Sequence, residues 1–355
     1  NFSVVTSYIY GIASWGTGPV EIKNNIVSGL KNNVGQSYGA SSLSGIYRAN
    51  NQNGNPIFAD SAIITGNTIF NLYNSRNTNS TQSDVGYTVG IITRGGLYNR
   101  VEKNTVHSVS VTEGSVTGIA FYDGQGGIPS ILQKNRIYNI VNNDNSVSSC
   151  CDDDFYNGVI NGIAVTGEGS GLDIINNQVS ITNNNISNPV SIRGIYEGYY
   201  MNIPPPLQKQ RVLYNSIYIG GTASQNGGSG CFVTLSQKVK EIYNNLFYND
   251  RIGGTKGHYG IRMLGSGVSA TLSGTRSNYN LYAIPDTAAF ATYYPLGKIG
   301  LGQWKSLTGL DDSTYVSQII NVPSNSLFVN KAAGNLNINS DNEVCWSVNN
   351  KALPY

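Results

Sequence analysis

The sequence has little charge, little histidine and no long apolar run. Asp, Glu, Lys and Arg make up 12% of its 355 residues, about half of the usual share in globular proteins. The net charge is +2 without a basic block, which excludes a protein that neutralises the phosphates of a nucleic acid. No stretch of about 18 apolar residues occurs, so we expect no insertion into a membrane.

Cysteine is also scarce. The four residues Cys150, Cys151, Cys231 and Cys345 are too few for a disulfide framework, and none has the C-x-x-C spacing of a zinc site. We interpret them as buried or unpaired thiols, although the sequence leaves their disulfide state open. Cys231 falls in a repeat position that otherwise holds Ile, which predicts a place in the core.

Asn, Ser, Thr, Gly and Tyr are abundant instead, and an Asn-centred motif recurs among them. This composition is typical of extracellular β proteins and disfavours helices. The motif is Asn-x-(Ile/Val/Leu), and its copies begin 29 to 43 residues apart. They begin at Asn24, Asn67, Asn104, Asn135, Asn177, Asn215 and Asn244, with a degenerate copy near Asn280.

A Gly-Ile pair precedes most copies of the Asn motif, and Gly230-Cys231 fills the one gap. The alternation of Val179 and Ile181 indicates a half-buried strand. Stacking such coils in parallel pairs each strand with neighbours about 4.8 Å away. Asn suits a tight corner, because it tolerates left-handed backbone angles and its side chains can hydrogen-bond along a stack.

These patterns predict an all-β fold, a right-handed parallel β-helix of about eight coils. We expect repeats over 1–284 and an irregular capping segment of the same β-helix over 285–355. A β-propeller is the runner-up, because its blades have a similar period, but its signatures do not occur. A β-sandwich would show hairpin turns between alternating strands.

The last part of the chain carries a family resemblance. Residues 303–311 (QWKSLTGLD) resemble a short helical excursion, and 326–330 (SLFVN) with 335–338 (NLNI) resemble closing strands. Together with the repeats, they are similar to the right-handed parallel β-helix regions of large bacterial surface proteins exported by type IX secretion. The resemblance implies an extracellular or outer-surface location in a bacterium, contact with the secretion machinery during export, and a place in a longer secreted protein.

The same resemblance implies sites of O-glycosylation. Those bacteria use an acceptor of the form Asp-(Ser/Thr) followed by a small or apolar residue. Similar sequences place acceptors at Ser61, Thr287 and Ser313.

A β-helix can also carry a polysaccharide lyase or glycoside hydrolase, which needs convergent carboxylates. Asp123, Glu168 and Glu197 each follow a Gly-Ile pair, so stacking would bring them toward one edge as a candidate catalytic groove. We favour a solvated rim of mixed charge. With only two histidines and no nucleophile elbow, a Ser-His-Asp site is not expected.

One acidic cluster is a weak candidate for a metal site. Asp152, Asp153 and Asp154 could supply oxygen ligands to Ca²⁺. Their spacing does not match a known calcium loop, so we interpret them as a solvated loop, and we expect no other cofactor.

An aromatic stripe is the strongest candidate for binding. It occupies the third position after several repeat Asn residues, next to an apolar residue, so alternation points it outward. Tyr combines an apolar ring with a polar tip and suits sugars, although aromatics also stack in strands for stability alone. The candidate carbohydrate-binding residues are Phe70, His107, Tyr138, Tyr218 and Phe247.

These observations predict a non-catalytic extracellular module for adhesion or for glycan binding and display. Its expected partners are surface glycans or other extracellular proteins. A polysaccharide-cleaving enzyme and a structural stalk or fibre subunit remain alternatives. The sequence identifies neither the ligand nor the oligomeric state.

Overall fold

In the computed structural model, three groups of short strands stack along one axis. The structure describes residues 7–16, 18–34, 41–49, 51–52, 55–56, 61–76, 87–112, 114–122, 129–143, 158–166, 171–184, 190–198, 209–224, 227–236, 238–264, 274–293, 296–318 and 323–339. Among these residues the chain forms a parallel β-helix, as the repeats predict. Each coil gives one strand to each of three parallel sheets, called A, B and C here, and eight coils are complete.

Sheet A holds the strands that contain the Gly-Ile pairs. Its last strand is antiparallel to its neighbour. The strands are β1 (Ser7–Trp15), β5 (Ser41–Ala49), β10 (Tyr87–Arg94), β13 (Ser115–Tyr122), β16 (Val159–Thr166), β19 (Ser191–Glu197), β23 (Ser229–Thr234), β27 (His258–Met263), β30 (Ala291–Tyr293) and β31 (Gly297–Ile299).

Sheet B follows sheet A in each coil, and its strands are short. They are β2 (Val20–Lys23), β8 (Ser61–Thr65), β11 (Tyr98–Glu102), β14 (Ser130–Gln133), β17 (Leu172–Ile175), β20 (Gln210–Leu213), β24 (Lys240–Tyr243) and β28 (Arg276–Asn278).

Sheet C begins directly after each repeat Asn. Its strands are β3 (Ile26–Ser28), β9 (Thr68–Arg76), β12 (Thr105–Val111), β15 (Arg136–Asn142), β18 (Gln178–Thr182), β21 (Ser216–Gly220), β25 (Leu246–Asn249), β29 (Leu281–Ile284) and β32 (Tyr315–Gln318), and β4 (Lys31–Val34) pairs with β9. Three small two-stranded sheets lie apart: β6 (Asn51–Gln52) with β7 (Asn55–Pro56), β22 (Thr222–Ala223) with β26 (Ile252–Gly253), and β33 (Phe328–Asn330) with β34 (Asn335–Ile338).

The Gly of each Gly-Ile pair faces sheet C across the interior. A Cβ on Gly118 would lie 2.5 Å from Cγ2 of Ile137 and 2.6 Å from the carbonyl oxygen of Gly162, so only glycine fits without a shift. In the seventh coil this position holds Cys231, because Ile195 pairs with Phe232. Our assignment of Cys231 to the Ile position is therefore wrong by one residue, although the thiol is fully buried as predicted.

A ladder of asparagines forms the corner between sheets B and C. From Asn67 to Asn245, each ladder amide donates to Oδ1 of the next Asn, as Asn104 does to Asn135 at 3.0 Å, and to a sheet B carbonyl of the preceding coil, here Ile64 at 2.9 Å. Oδ1 also accepts from the backbone N–H of the preceding Asn. Donors and acceptors are thus saturated inside the stack. The ladder runs through Asn25, Asn67, Asn104, Asn135, Asn177, Asn215, Asn245 and Asn280.

The structure corrects two members of the predicted repeat. In the first and seventh copies the ladder uses Asn25 and Asn245 rather than Asn24 and Asn244. The left-handed backbone angle belongs to the residue before each ladder Asn, which is why several residue types occupy that position. These residues are Asn24, Gly66, Lys103, Lys134, Asn176, Tyr214, Asn244 and Tyr279.

Helical turns lie against the end of the last coil. They are a 3-10 turn (Thr287–Ala289) and helix α1 (Leu301–Thr308), whereas a further single turn, α2 (Ser324–Leu327), lies on the outside of sheet C. Trp304 of α1 is buried and donates from Nε1 to Asp311 at 2.9 Å. Asp311 accepts in turn from the Asn280 amide at 3.2 Å and so ends the ladder. No helix in the described part of the chain is long and apolar enough to cross a membrane.

The segment 323–339 turns back along the outside of sheet C. It consists of α2 and the antiparallel pair β33–β34, and is called the C-terminal hairpin below. Its apolar residues Leu327, Phe328 and Leu336 pack with Tyr218 and Tyr248 of sheet C in a second, smaller core.

Candidate functional site

The register of sheet C brings Phe70, His107 and Tyr138 into one line on its outer face. His107 pairs with both neighbours. The ring centroids are 5.1 Å apart between Phe70 and His107 and 4.8 Å apart between His107 and Tyr138, with interplanar angles of 6° and 9°. All three side chains are half-buried. The stripe that the sequence predicts is thus continuous over coils two to four.

The rings of this stack face each other, and not solvent. Stacking at these distances covers the faces of His107 on both sides. The stack therefore presents ring edges and polar tips. A sugar would meet C–H edges and hydrogen-bonding groups here, and not a flat aromatic platform.

Tyr218 belongs to the same line but is covered by the C-terminal hairpin. It is 4% exposed. Its hydroxyl donates to Oδ2 of Asp250 at 3.2 Å and accepts from Nζ of Lys331 at 3.0 Å. Burial, together with the charge of Asp250, raises the pKa of Tyr218. The hairpin therefore removes this predicted binding residue from solvent.

Phe247 does not lie on the outer face, so its prediction as a binding residue is wrong. It is fully buried in the main core and pairs with the core residue Ile217. Because the ladder uses Asn245, the third residue onward is Tyr248, which stands beside Tyr218. Tyr248 is also packed under the hairpin, with its ring centroid 5.5 Å from that of Phe328.

A polar groove runs along one side of the open stack. Its volume is about 400 Å³. Asn71, Ser108 and Asn139 line it at successive coils, each with a left-handed backbone angle that turns its side chain out of the strand. Ser108 lies 3.0 Å from Nδ1 of His107 and accepts from the Asn139 amide at 3.1 Å.

A second groove lies on the other side of the stack, at the corner between sheets B and C. Its volume is about 380 Å³. Lys103, Lys134 and Arg136 line it, and Asn337 of the C-terminal hairpin closes one end. The guanidinium of Arg136 lies 5.3 Å from the Tyr138 ring centroid and donates to the carbonyl of Ala333. This groove is called the cationic groove below.

Arg136 also acts on the open stack. Burial and the nearby charge of Arg136 together lower the pKa of His107 below its ordinary value. The ring is therefore neutral at neutral pH, and it can accept or donate hydrogen bonds in the groove.

Sequence reasoning missed these cations, although a signal for them exists. Lys103 and Lys134 stand directly before the repeat Asn in consecutive copies. It also missed an aromatic cluster on the first two coils, in which Trp15 is exposed and Tyr10 lies 5.5 Å from Trp15 and 4.7 Å from Tyr47 between ring centroids.

Glu197 does not lie in an open groove, so its position does not support the catalytic alternative. Its side chain is 3% exposed, lies 3.3 Å from Nζ of Lys240 and accepts from Oγ1 of Thr234 at 2.8 Å. Burial lowers the pKa of Lys240, and the charge of Glu197 offsets part of that shift. Glu197 therefore belongs to a buried ion pair. Asp123 and Glu168 lie outside the described residues.

The remaining candidate residues have mixed positions. Asp152, Asp153 and Asp154 lie outside the described residues, as do Cys150, Cys151 and Cys345. Within the part of the chain that is described, no group of three His, Cys, Asp or Glu residues could hold a metal ion. Ser313 is exposed, and Ser61 and Thr287 are half-buried, so glycosylation at these positions stays a prediction.

The chain was compared with protein-family models, with curated proteins and with solved structures, and none of them matches it.

Proposed function

We propose that the chain is a non-catalytic extracellular module that binds a glycan along the open part of sheet C. The observation that carries the proposal is the stack Phe70–His107–Tyr138 with a hydrogen-bonding groove on each side. Hydroxyl, amide and imidazole groups beside an apolar edge are the groups that sugars contact.

The repetition of the site favours a polymer as ligand. Each of coils two to four offers one ring of the stack and one outward-turned Asn or Ser, at the strand spacing of about 4.8 Å. A chain of similar sugar units can repeat its contacts along such a surface. A location at the outer surface of a bacterium and export by type IX secretion are part of the proposal, supported by the resemblance of 326–330 and 335–338 to closing strands.

The test is a glycan array probed with the wild-type chain and with the variants His107→Ser and Tyr138→Ser. Ser occupies the same position in neighbouring coils, at Ser28 and Ser180, so the strands should tolerate these changes. We expect each variant to lose binding by about tenfold, which corresponds to roughly 1.4 kcal/mol.

The matched control is Ile131→Ser on the outer face of sheet B, a half-buried residue away from the stack. It should keep wild-type binding. A wild-type chain that binds no glycan would contradict the proposal. New reducing or unsaturated ends in the same samples would show that the module is catalytic.

A further inference from the structure

We infer that the cationic groove selects glycans that carry carboxylate or sulfate groups; this inference rests on the proposed function and names the class of its ligand. Two exposed lysines, Lys103 and Lys134, lie side by side there, since the backbone N–H of Lys103 donates to Gln133 of the next coil at 3.1 Å. Like charges on adjacent strands repel, so an anion between them would be stabilising.

Neither of these lysines forms an ion pair within the described part of the chain. Among the described residues no carboxylate lies within ion-pair distance of Lys103 or Lys134. The described strands of sheet C contain no Asp or Glu. Lys103 and Lys134 therefore face solvent without a carboxylate partner on the described strands of sheet C.

The nearest carboxylate is already engaged on the other side of the corner. Glu102 accepts from Nε2 of Gln133 at 2.7 Å and lies 2.9 Å from Nε of Arg100. Its burial raises the pKa of the Glu102 carboxyl, but these hydrogen bonds and the charges of Arg100 and Lys103 outweigh burial and hold the pKa below its ordinary value. Glu102 is thus a paired anion that leaves both lysines available.

Arg136 supplies the cationic groove with a positive charge whose position is fixed. The hairpin carbonyl of Ala333 and the ring of Tyr138 hold its guanidinium in place, so little side-chain freedom is lost when an anion binds. The same residue borders the aromatic stack. One sugar unit could therefore place its anionic group in the cationic groove and its ring edge against Tyr138.

The test compares polygalacturonate with its methyl ester, which keeps the backbone and removes the charge. Binding is measured by titration calorimetry at low and high salt. The variant is Lys103→Asn with Lys134→Asn, since Asn24, Asn176 and Asn244 hold the same left-handed position in other coils. We expect at least about tenfold weaker binding of the acid form and no change for the ester.

The control is Lys209→Asn, an exposed lysine that is paired with Glu241 at 2.9 Å on sheet B. This variant should bind polygalacturonate with an affinity within about twofold of that of the wild type, because a surface ion pair contributes little. A double variant that binds both polymers like the wild type would overturn the inference while the proposed function stands.

Two further outcomes separate the explanations. If neither polymer, nor any glycan on the array, binds the wild type, the proposed function fails together with the inference. If single-stranded DNA binds as tightly as polygalacturonate and is lost in the same double variant, the groove binds polyanions in general and the glycan inference is wrong.

Discussion

Sheets B and C are formed by the same coils, but charged side chains are arranged differently on their outer faces. On sheet B, acidic and basic side chains alternate between neighbouring strands, as in Asp173, Arg211, Glu241 and Arg276. Arg211 donates from Nε to Asp173 at 2.6 Å. Sheet B therefore neutralises itself.

Sheet C carries aromatics and cations without carboxylates in its described strands. Arg136 is its charged residue next to Tyr138, and Lys103 and Lys134 stand at its edge. The same coils form both sheets, so the spacing between neighbouring strands does not explain the difference in charge, which lies in the side chains. Charges that are paired with each other are not available to a ligand, whereas cations without a carboxylate within ion-pair distance, together with ring edges, can contact one.

The largest expected effect comes from breaking the corner that both faces share. Asn135→Ala removes a fully buried amide that bonds Asn104, Asn177 and the carbonyl of Val101. Several buried groups lose their partners, so we expect the free energy of unfolding to fall by roughly 3 kcal/mol or more. Urea unfolding measures this.

Asn139→Gly is the matched control for this change. Asn139 is exposed and has a left-handed angle that glycine adopts freely. Its loss should cost well under about 1 kcal/mol. Equal losses in the two variants would mean that the ladder is no more important than a surface amide.

The second prediction introduces a carboxylate on sheet C, so that an acidic and a basic side chain stand on neighbouring strands as they do on sheet B. Thr105 pairs with Arg136, so Thr105→Glu places a carboxylate beside the guanidinium. We expect affinity for polygalacturonate to fall about tenfold, with unfolding unchanged to within about 0.5 kcal/mol. Thr105→Gln, which has the same shape without charge, should retain binding; an equal loss would point to steric hindrance instead.

The third prediction makes sheet B resemble sheet C. Asp173→Asn leaves Arg211 without its main partner, and the pKa of Arg211, which its hydrogen bond to Asp173 raises, should return toward its ordinary value. We expect the free energy of unfolding to fall by only about 0.5–1 kcal/mol, because the guanidinium is half exposed and screened by solvent. When Asp173→Asn is combined with Lys103→Asn and Lys134→Asn, which remove the binding of the cationic groove, weak new binding of polygalacturonate should appear.

The smallest effect concerns pH. His107 has a lowered pKa, so it gains its proton only below the usual range near 6.5. Protonation adds a cation beside Arg136, so affinity for an anionic glycan should rise about two- to threefold as the pH falls through that pKa. His107→Ser should abolish the rise, and a wild-type profile that is flat would exclude His107 from the binding site.

Stability should move in the opposite direction over the same window. The unfolded chain takes up the His107 proton at a higher pH than the folded chain, so acidification below about 6.5 favours unfolding. The thermal unfolding temperature without ligand should therefore fall on the acid side while binding strengthens.

The fold was largely predictable because its information is local and repeated. An apolar residue two positions after each repeat Asn, with a Gly-Ile pair upstream, is enough to specify strands and corners. The exact partner was harder to predict where Asn occurs twice. Asn24-Asn25 and Asn244-Asn245 each offer two possible ladder residues, and the use of Asn245 places Phe247 in the main core and Tyr248 under the C-terminal hairpin.

The sequence by itself determined the parallel β-helix and the alignment of Phe70, His107 and Tyr138 on one line, since both follow from the repeat. Only the tertiary structure decided that Tyr218 is covered and that Glu197 is buried against Lys240. The first outcome depends on the C-terminal hairpin, which lies more than a hundred residues after Tyr218 in the sequence. The second depends on whether the side chain of Glu197, at the end of its strand, points inward or outward. Neither distant packing nor inward rotation leaves a periodic signal, because each occurs once in the chain.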